Sequence, residues 1–368
     1  MTEDAVTEDA VTDDAATDAV TDNRAILDAV DQLLVPGESR YTRVELARRA
    51  GIDPDQVRRF WRAMGFPDPA DDDAIFTDTD VAVLSAFDRF LRDDMVDPDV
   101  ALQITRVVGQ AMSRVAEAEV AAVRERLEAL GLIEDRTEEE VGAAVVSRSA
   151  ALLPAIEGLL VYQWRRHLAA AAQRVVMARN TDGDARLSLT VGFADMVGFT
   201  ALSQQLEERE LAQVVGRFET LAYDIVAGHG GRIVKMIGDE VMFVTEDPAG
   251  AAEIGLTLAE VYGQDETVSD VRVGLAHGPV LGLEGDYFGP TVNLASRIVN
   301  LAYVGTVVVC SEIRTRLVDD ERFVLKAVRP RRLKGIGITP LWIVRRPDQS
   351  SRRLPDAVVE RMRARRER

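Results

Sequence analysis

The spacing of apolar residues divides the chain into two parts with different periods. From about residue 25 to residue 172 the apolar residues recur every three or four positions, which is typical of amphipathic helices. After residue 185 the period becomes two, and apolar side chains at 187, 189, 191 and 193 alternate along a segment that ends at Asp195. The sequence therefore predicts a helical N-terminal part followed by a part that contains a sheet.

In the N-terminal part, helices are predicted over 24–34, 79–91, 98–130 and 138–159, and a further helix over 161–177 leads out of it. The segment 41–66 predicts two short helices around Gly51. It resembles the helix-turn-helix of DNA-binding regulators, with Arg58, Arg59 and Arg62 on its second helix. Many helical pairs joined by Gly-Ile-Asp-Pro would share this pattern, so a purely structural pair is the preferred interpretation.

In the C-terminal part, a turn at 196–200 leads into a helix that is predicted to run to about residue 227. Apolar strands at 233–237 and 241–244 flank a hairpin turn at 238–240, and a helix runs from 248 to about 263. Further strands are predicted at 271–276, 280–283, 306–310, 323–328 and 341–345, with a helix between 288 and 301. Strand, helix, hairpin, helix and strand is the ferredoxin-like order, here with extra strands, so the expected fold class is α+β.

Composition adds two tails to this picture. Residues 1–23 hold eight acids and no Lys or Arg, whereas the segment from residue 351 holds seven arginines against three acids. We therefore expect a disordered acidic tail over 1–23, an all-helical regulatory domain over 24–165 and a helical linker over 166–185. A catalytic domain over 186–346 and an Arg-rich tail over 347–368 complete the expected organisation.

The overall charge and the single cysteine restrict the partners and the compartment. A net charge of −18 argues against a general affinity for nucleic acid or an anionic membrane. No apolar run is expected to span a bilayer, and residues 1–23 do not have the composition of a signal peptide. Cys310 follows three valines and is expected to be a buried strand thiol. These features favour a cytoplasmic protein.

Two carboxylates mark the places where chemistry is expected. Asp195 ends the first strand just before a turn and a helix N-terminus, a geometry that suits phosphates. Asp239 lies at the tip of the hairpin, and Lys235 stands four residues before it, roughly 13 Å away along the strand. Two carboxylates on rigid tips beside a phosphate cradle suit Mg²⁺ or Mn²⁺ held partly by substrate phosphates, although either aspartate taken alone is more commonly a turn former or a helix cap.

Three motifs then carry a resemblance to a known family. FADMVGFT at 193–200, KMIGDEVM at 235–242 and DYFGPTVNLASR at 286–297 together resemble the class III nucleotidyl cyclase domain, in the family's order and spacing. The match covers roughly residues 186–346. The chain resembles the soluble actinobacterial enzymes of this type, which have a helical regulatory domain ahead of the cyclase domain.

The resemblance implies a role for each motif residue. It implies that Asp195, Asp239 and the backbone carbonyl of Met196 bind two divalent cations, Mg²⁺ or Mn²⁺. It also implies roles in binding ATP, catalysis and transition-state stabilisation for a larger set of residues. Gly198, Phe199 and Thr200 would lie at the triphosphate, Lys235 and Asp286 would select the base, Asn293 and Arg297 would orient the ribose and stabilise the transition state, and Lys334 would lie near the terminal phosphates.

The implied activity is an adenylate cyclase, in which the ribose 3′-hydroxyl of ATP attacks the α-phosphorus and pyrophosphate leaves. A lysine donor meets adenine N1 and an aspartate acceptor meets its N6 amino group, whereas guanine presents the opposite pattern. In this family the metal-binding residues and the base-selecting residues come from different copies of the chain, so a homodimer with interfacial sites is implied. The six principal positions hold the residues that the resemblance requires, which argues against an inactive homologue. These residues are Asp195, Lys235, Asp239, Asp286, Asn293 and Arg297.

Other functions stay open at this point. A guanylyl or diguanylate cyclase would share much of the fold, but the Gly-Gly-Asp/Glu-Glu-Phe tip of diguanylate cyclases is missing. A nucleotide-responsive DNA regulator could use the 41–66 helices. His167 on the exit helix could carry a pH response, although a solvated Arg-Arg-His face is the commoner explanation.

Overall fold

The computed structural model describes residues 29–35, 37–131, 137–181 and 187–349. The chain divides into two compact units, residues 1–175 and 176–368. The predicted acidic tail, and all of the predicted Arg-rich tail after residue 349, lie outside the described residues. Each unit is described by itself.

The first unit is helical, as its period predicts. A short helix α1 covers 29–34. The helices that follow are α2 (Arg43–Ala50), α3 (Pro54–Met64), α4 (Asp78–Arg92), α5 (Pro98–Ala129) and α6 (Glu138–Thr181). Thr42 and Thr77 form capping boxes with Glu45 and Asp80, which satisfies amide groups that each first helical turn leaves unpaired.

The α2–α3 pair has helix-turn-helix geometry. Gly51 ends α2 with φ of 74°, a left-handed conformation that glycine adopts without strain, and Asp53 caps α3. The pair packs around a small core: Tyr41, Leu46, Ala47, Ala50, Val57, Phe60, Phe76 and Leu84.

Two of the three arginines of α3, Arg58 and Arg62, are engaged within this unit. Arg58 contacts Asp55, and the Arg62 Nε donates to Asp68 at 2.9 Å. These carboxylates reduce the positive charge that α3 can present to a phosphate backbone. The structural interpretation of the pair remains preferred, and the expectation that nucleic acid is not a partner stays a prediction.

Helix α6 differs from the prediction in two respects. The helices predicted at 138–159 and 161–177 are one continuous helix, because no residue near 160 stops it and Pro154 is accommodated inside it. The stretch Gly142–Val176 is also long and apolar enough, by length and composition, to cross a membrane. The expectation that no run reaches this length was wrong, because Arg148 and Glu157 are the only charges between 142 and 164. Length and composition alone do not place a helix in a bilayer, so the expected lack of a membrane partner stays a prediction.

The second unit combines a sheet with helices. Its strands are β1 (Ser188–Met196), β2 (Arg232–Ile237), β3 (Glu240–Thr245), β4 (Val271–Pro279), β5 (Leu281–Leu283), β6 (Asp286–Phe288), β7 (Val307–Val309), β8 (Val324–Leu333) and β9 (Gly337–Arg345). Its helices are α7 (Phe199–Leu202), α8 (Glu208–Gly228), α9 (Pro248–Tyr262), α10 (Pro290–Val299) and α11 (Ser311–Leu317), and a 3₁₀ turn covers Pro347–Gln349.

The sheet has the order β2-β3-β1-β4-β7-β9-β8, and β5 and β6 form a separate hairpin. Its first four strands follow the ferredoxin-like order, and β7, β9 and β8 extend the sheet beyond β4, where β7 pairs in parallel. This arrangement confirms the α+β fold class. It also places the ends of β1 and of the β2–β3 hairpin side by side.

Two local features differ from the sequence prediction. The single helix expected from the 196–200 turn to about 227 is broken into α7 and α8, because Glu207 starts a new capping box with Glu210. The strands β8 and β9 are longer than expected and form a hairpin around residues 334–336.

Helix α10 lies unusually close to the sheet. A Cβ at Gly274 on β4 would lie 2.2 Å from the backbone nitrogen of Val299, and one at Gly278 would lie 2.9 Å from the Thr291 hydroxyl. Only glycine allows the helix backbone to approach β4 this closely. The two contacts fix the position of α10 along the strand.

Candidate active site

The end of β1 carries a cluster of charged side chains. Asp195 stands opposite Glu240 of β3 and opposite Arg272 of β4 in the strand pairing. The Arg272 Nε donates to the Asp195 carboxylate at 2.6 Å. Burial raises the pKa of Asp195, the Arg272 guanidinium opposes this shift, and the charge of Asp239 adds to it.

The hairpin tip is fixed beside this strand end. Gly238 turns the chain with φ of 62°, and Asp239 follows before β3 begins. The Met196 amide donates to the Asp239 carbonyl at 3.0 Å. This bond joins the last residue of β1 to the tip, so the sequence-predicted pair Asp195 and Asp239 lies together at one edge of the sheet.

Glu240 is a third acid of this edge, and its role was missed in the sequence. It was assigned to the turn, but it is the first residue of β3 and faces Asp195 across the strand pair. Burial raises its pKa to about 7, with further upward contributions from Asp195 and Asp239. Arg272 was missed as well, although an arginine between Val271 and Val273 in an apolar strand was a visible signal.

The donor set suits a hard cation shared with a substrate. Carboxylate oxygens are the ligands that Mg²⁺ and Mn²⁺ prefer, and Mg²⁺ is commonly held by one or two carboxylates together with substrate phosphates. No group of three or more His, Cys, Asp or Glu in the described residues could hold a metal ion without help. Two crowded carboxylates whose mutual repulsion a cation would relieve fit the shared type of site.

The predicted triphosphate residues follow directly after β1. Gly198 has φ of 83° and leads into α7, whose four residues begin at Phe199. Phe199 packs against the core of the unit, and Thr200 is exposed. The turn therefore presents its backbone next to Asp195.

The predicted base-selecting residues contact each other within one chain. The Lys235 ammonium on β2 donates to the Asp286 carboxylate at the start of β6. Both side chains are partly exposed, at 35% and 25%. Beside them, the Arg232 guanidinium donates to the Tyr287 hydroxyl at 2.6 Å. Lys235 thus pairs with Asp286, and not with Asp239 on its own hairpin.

Asn293 and Arg297 lie on α10, four residues apart. Asn293 is exposed and Arg297 is half-buried. A Cβ at Gly335, in the β8–β9 hairpin, would lie 3.9 Å from the Arg297 Nη2. The exposed Lys334 precedes this glycine, so the structure brings Arg297 and the hairpin of Lys334 together.

Asn293 is separated from Asp195 along β1, whereas Arg297 lies nearer, because Val299 packs on Gly274 and Gly274 pairs with Phe193, two residues before Asp195. Thr291 of α10 packs on Gly278, and Gly278 pairs with Leu189, six residues before Asp195. Six residues of strand span roughly 20 Å. Asn293 comes two helical residues after Thr291 and is therefore about 3 Å nearer to Asp195. Asn293 therefore stands on the order of 15 Å along the sheet from Asp195 of the same chain.

Comparisons with known proteins cover both parts of the chain. Residues 184–345 match the family model described as the adenylate and guanylate cyclase catalytic domain, and residues 10–168 match the adenylate cyclase regulatory domain. The chain is 38% identical to an adenylate cyclase of Streptomyces coelicolor, over 87% of this chain and 89% of that protein. It is 36% identical to an adenylate cyclase of Glutamicibacter nicotianae, over 85% of this chain and 81% of that protein.

A solved structure is similar to the catalytic part. The crystal structure of the adenylyl cyclase CyaB from P. aeruginosa is 25% identical, with a TM-score of 0.38, and it covers 46% of this chain and 96% of its own. Catalytic domains of the matched family use divalent metal ions. The resemblance inferred from the three motifs is confirmed by the relatives. The chain belongs to the adenylate cyclase family and is an adenylate cyclase with a class III catalytic domain and an N-terminal regulatory domain.

Proposed function

We propose that this adenylate cyclase converts ATP to 3′,5′-cyclic AMP and pyrophosphate at two sites that form between two copies of the chain. In each site, Asp195 and Asp239 of one copy face the α10 and β6 residues of the other. The contact between Lys235 and Asp286 is the main observation that supports ATP, and not GTP, as the substrate. Cytoplasmic location belongs to the same proposal and is supported by a single cysteine, Cys310, which is buried and free.

The Lys235–Asp286 pair has the polarity that adenine requires. Adenine offers an acceptor at N1 and a donor at its N6 amino group, so an ammonium and a carboxylate side by side complement it. Guanine offers a donor at N1 and an acceptor at O6, and would meet both groups with the wrong sign. A purine edge can replace the internal contact because both side chains are partly exposed. Wrong pairing leaves buried polar groups unsatisfied and so selects strongly between bases.

Asp195, Asp239 and the Met196 carbonyl would hold two divalent cations, Mg²⁺ or Mn²⁺. When bound, these cations supply charge neutralisation at the phosphates and a lower pKa for the ribose 3′-hydroxyl. The Arg272 guanidinium already orients the Asp195 carboxylate. The Met196 amide holds the Asp239 tip in place, so the protein sets the spacing of the two acids before substrate arrives.

Asn293 would orient the ribose ring, and Arg297 would donate to the phosphate that gains charge as pyrophosphate leaves. Gly198, Phe199 and Thr200 would place backbone amides at the triphosphate. Lys334 would add a cation beside Arg297, since the β8–β9 hairpin lies against that guanidinium. All of these groups bind or position the substrate, and no covalent intermediate on the protein is needed.

The separation along β1 supports two copies over one. A ribose that is attacking its own α-phosphate brings its hydroxyl within about 3.5 Å of phosphorus. Asn293 and Asp195 of one chain stand on the order of 15 Å apart along the sheet, and a second copy can place its own Asn293 nearer to the phosphates. A second copy arranged about a two-fold axis supplies the missing half of each site.

Mixing of inactive variants tests this proposal. Asp239→Ala and Arg297→Ala should each lower the rate of cyclic AMP formation from ATP by about a hundredfold or more. Random exchange makes half of the dimers mixed, and each mixed dimer holds one complete site, so the mixture should recover about a quarter of wild-type activity. The assay uses full-length chains with ATP or GTP and Mn²⁺.

The matched control is a mixture of Asp239→Ala with Asp195→Ala. Both variants lack the same half of the site, so this pair cannot restore activity. Recovery in the control mixture, or no recovery in the test mixture despite subunit exchange, would contradict the shared site. Preferential turnover of GTP would contradict the assigned base.

A further inference from the structure

A β-bulge in β2 turns two cations toward the β5–β6 hairpin. In the pairing of β2 with β3, Arg232 stands opposite Val244 and Lys235 stands opposite Met242, so Val234 is an extra residue between them. Residues three apart in a regular strand point to opposite faces of the sheet. Val244 and Met242 are two apart and share a face, and the bulge therefore places Arg232 and Lys235 on that same face.

Both cations reach the same short strand, β6. The Lys235 ammonium donates to the Asp286 carboxylate, and the Arg232 guanidinium donates to the hydroxyl of the next residue, Tyr287, at 2.6 Å. The guanidinium carbon also lies 5.5 Å from the centre of the Tyr287 ring, within the range of a cation–π contact. The β5–β6 hairpin is a separate two-stranded sheet, so these contacts join it to the edge strand of the main sheet through side chains.

Tyr287 also holds the carboxylate that is proposed to read the base. Its backbone amide donates to Asp286 Oδ1 at 2.7 Å, and Lys235 contacts Oδ2. One oxygen of the carboxylate is thus tied to the hairpin backbone, and the other is left for an exchangeable partner. Tyr287 is half-buried and packs against the core of the unit, so its position is set before a nucleotide arrives.

The distance between β2 and β6 decides which base edge fits between Lys235 and Asp286. N1 and the N6 amino group of adenine are neighbours with a fixed separation, so an ammonium and a carboxylate contact both of them only when the two strands are correctly spaced. The flexible stem of Lys235 does not fix that spacing. The planar Arg232 guanidinium, which contacts both a hydroxyl and a ring, is better suited to fix it.

We propose that Arg232 and Tyr287 are positioning residues for base selection, which hold β6 at the spacing that adenine requires. The inference rests on the proposed function, in which Lys235 and Asp286 read the base. Arg232 and Tyr287 act through these two residues and do not themselves touch the nucleotide. Loss of their contact should therefore weaken the binding of adenine and leave the chemical step, at the proposed metal-binding acids and Arg297, in place.

Steady-state kinetics of the full-length chain with ATP and GTP in Mn²⁺ test this inference. Tyr287→Phe keeps the ring and removes the hydroxyl, and Arg232→Met removes the guanidinium. Each should raise the KM for ATP by about five- to tenfold, lower the ratio of kcat/KM for ATP to that for GTP by a similar factor, and change kcat by less than about twofold. The double variant should lose no more than Arg232→Met alone, since both substitutions break the same contact.

The matched control is Arg314→Met. The Arg314 guanidinium lies 5.3 Å from the centre of the Trp342 ring, a similar contact elsewhere in the same unit, and its loss should leave KM and the ratio unchanged. Melting temperatures within about 3 °C of the wild type show that the variants fold. If Arg232→Met does not fold, Tyr287→Phe carries the test alone.

The outcomes separate this inference from the proposed function. If Lys235→Met lowers the ratio but Tyr287→Phe and Arg232→Met do not, the positioning role is wrong and the base assignment stands. If Lys235→Met leaves the ratio unchanged, the base assignment fails and the positioning role fails with it. A fall in kcat that accounts for the whole loss, with KM unchanged, would also overturn the inference, because it would place the pair in the chemical step.

Discussion

The two units of the chain cover their apolar residues in different ways. The catalytic unit buries large side chains such as Phe218, Phe243 and Leu258 completely within itself. In the helical unit the buried core is small, and Val120 and Trp164 on the long helices are 70% and 60% exposed. The catalytic unit thus buries its large apolar side chains within itself, whereas the described parts of the long helices leave several of theirs exposed. Pairs of matched substitutions can test this difference.

The largest expected effect comes from the catalytic core. Phe243 is fully buried, and its ring occupies the space that a Cβ at Gly192 would need. Phe243→Ala should lower the free energy of unfolding by about 3–5 kcal/mol, since it removes apolar contacts and leaves a cavity. Denaturant unfolding of the full chain measures it.

The matched change in the helical unit is Trp164→Ala. Because this side chain is 60% exposed, its removal should change the stability of the dilute chain by no more than about 1 kcal/mol. A loss as large as that of Phe243→Ala in dilute solution would show that α6 is covered within its own chain, and the comparison would fail.

An effect smaller than that of Phe243→Ala is expected at the base-selecting pair. Lys235→Met keeps the length of the side chain but removes the donor for adenine N1 and leaves Asp286 with the Tyr287 amide as its donor. The kcat/KM for ATP should fall by about ten- to a hundredfold, and the ratio of ATP to GTP turnover should fall with it. Steady-state kinetics with both nucleotides measure the ratio. An unchanged ratio would remove Lys235 from base selection.

An effect of about 1 kcal/mol is expected from pH at the acidic edge of the sheet. Folding raises the pKa of Glu240 from 4.5 to about 7. The folded chain therefore favours the protonated carboxyl, and the stability that this group contributes is complete below pH 4.5 and lost as pH rises through about 7. In metal-free buffer, Glu240→Gln should be more stable than the wild type by about 1 kcal/mol at pH 8.

The same comparison at low pH is its control. Near pH 4.5 the wild-type carboxyl is protonated in the folded chain and resembles the amide, so the two melting temperatures should converge. Curves that stay parallel from pH 4.5 to pH 8 would mean that Glu240 does not titrate in this range.

Sequence reasoning located the catalytic unit well because its signals are local. Alternating apolar residues placed β1, and Asp195 and Asp239 follow from the points at which strands end. Glu240 and Arg272 were missed because their importance depends on strand pairing, and no local pattern shows which residues of β3 and β4 stand opposite Asp195. The break between α7 and α8 depends on a capping box that begins with glutamate, a weaker signal than a serine or threonine cap.

In the helical unit, local signals gave the helices but not their partners. The segment 41–66 was predicted to form two short helices around Gly51, and the structure has both. The continuity of α6 across residue 160 was missed, and the helix continues through Pro154 and Gly158, two residue types that disfavour helix interiors. Period alone cannot show whether a stripe faces the same chain or another one.

The tight approach of α10 to β4 has a consequence for how the reaction tolerates mutation. Gly274 sits beneath Val299, so even the methyl group of Gly274→Ala would wedge the helix away from the strand. Asn293 and Arg297 would rise with it, and misplacement by about 1 Å can cost a hundredfold in rate. The distance of Asn293 and Arg297 from the sheet is therefore set by the missing side chain at Gly274, a residue outside the proposed nucleotide-binding groups.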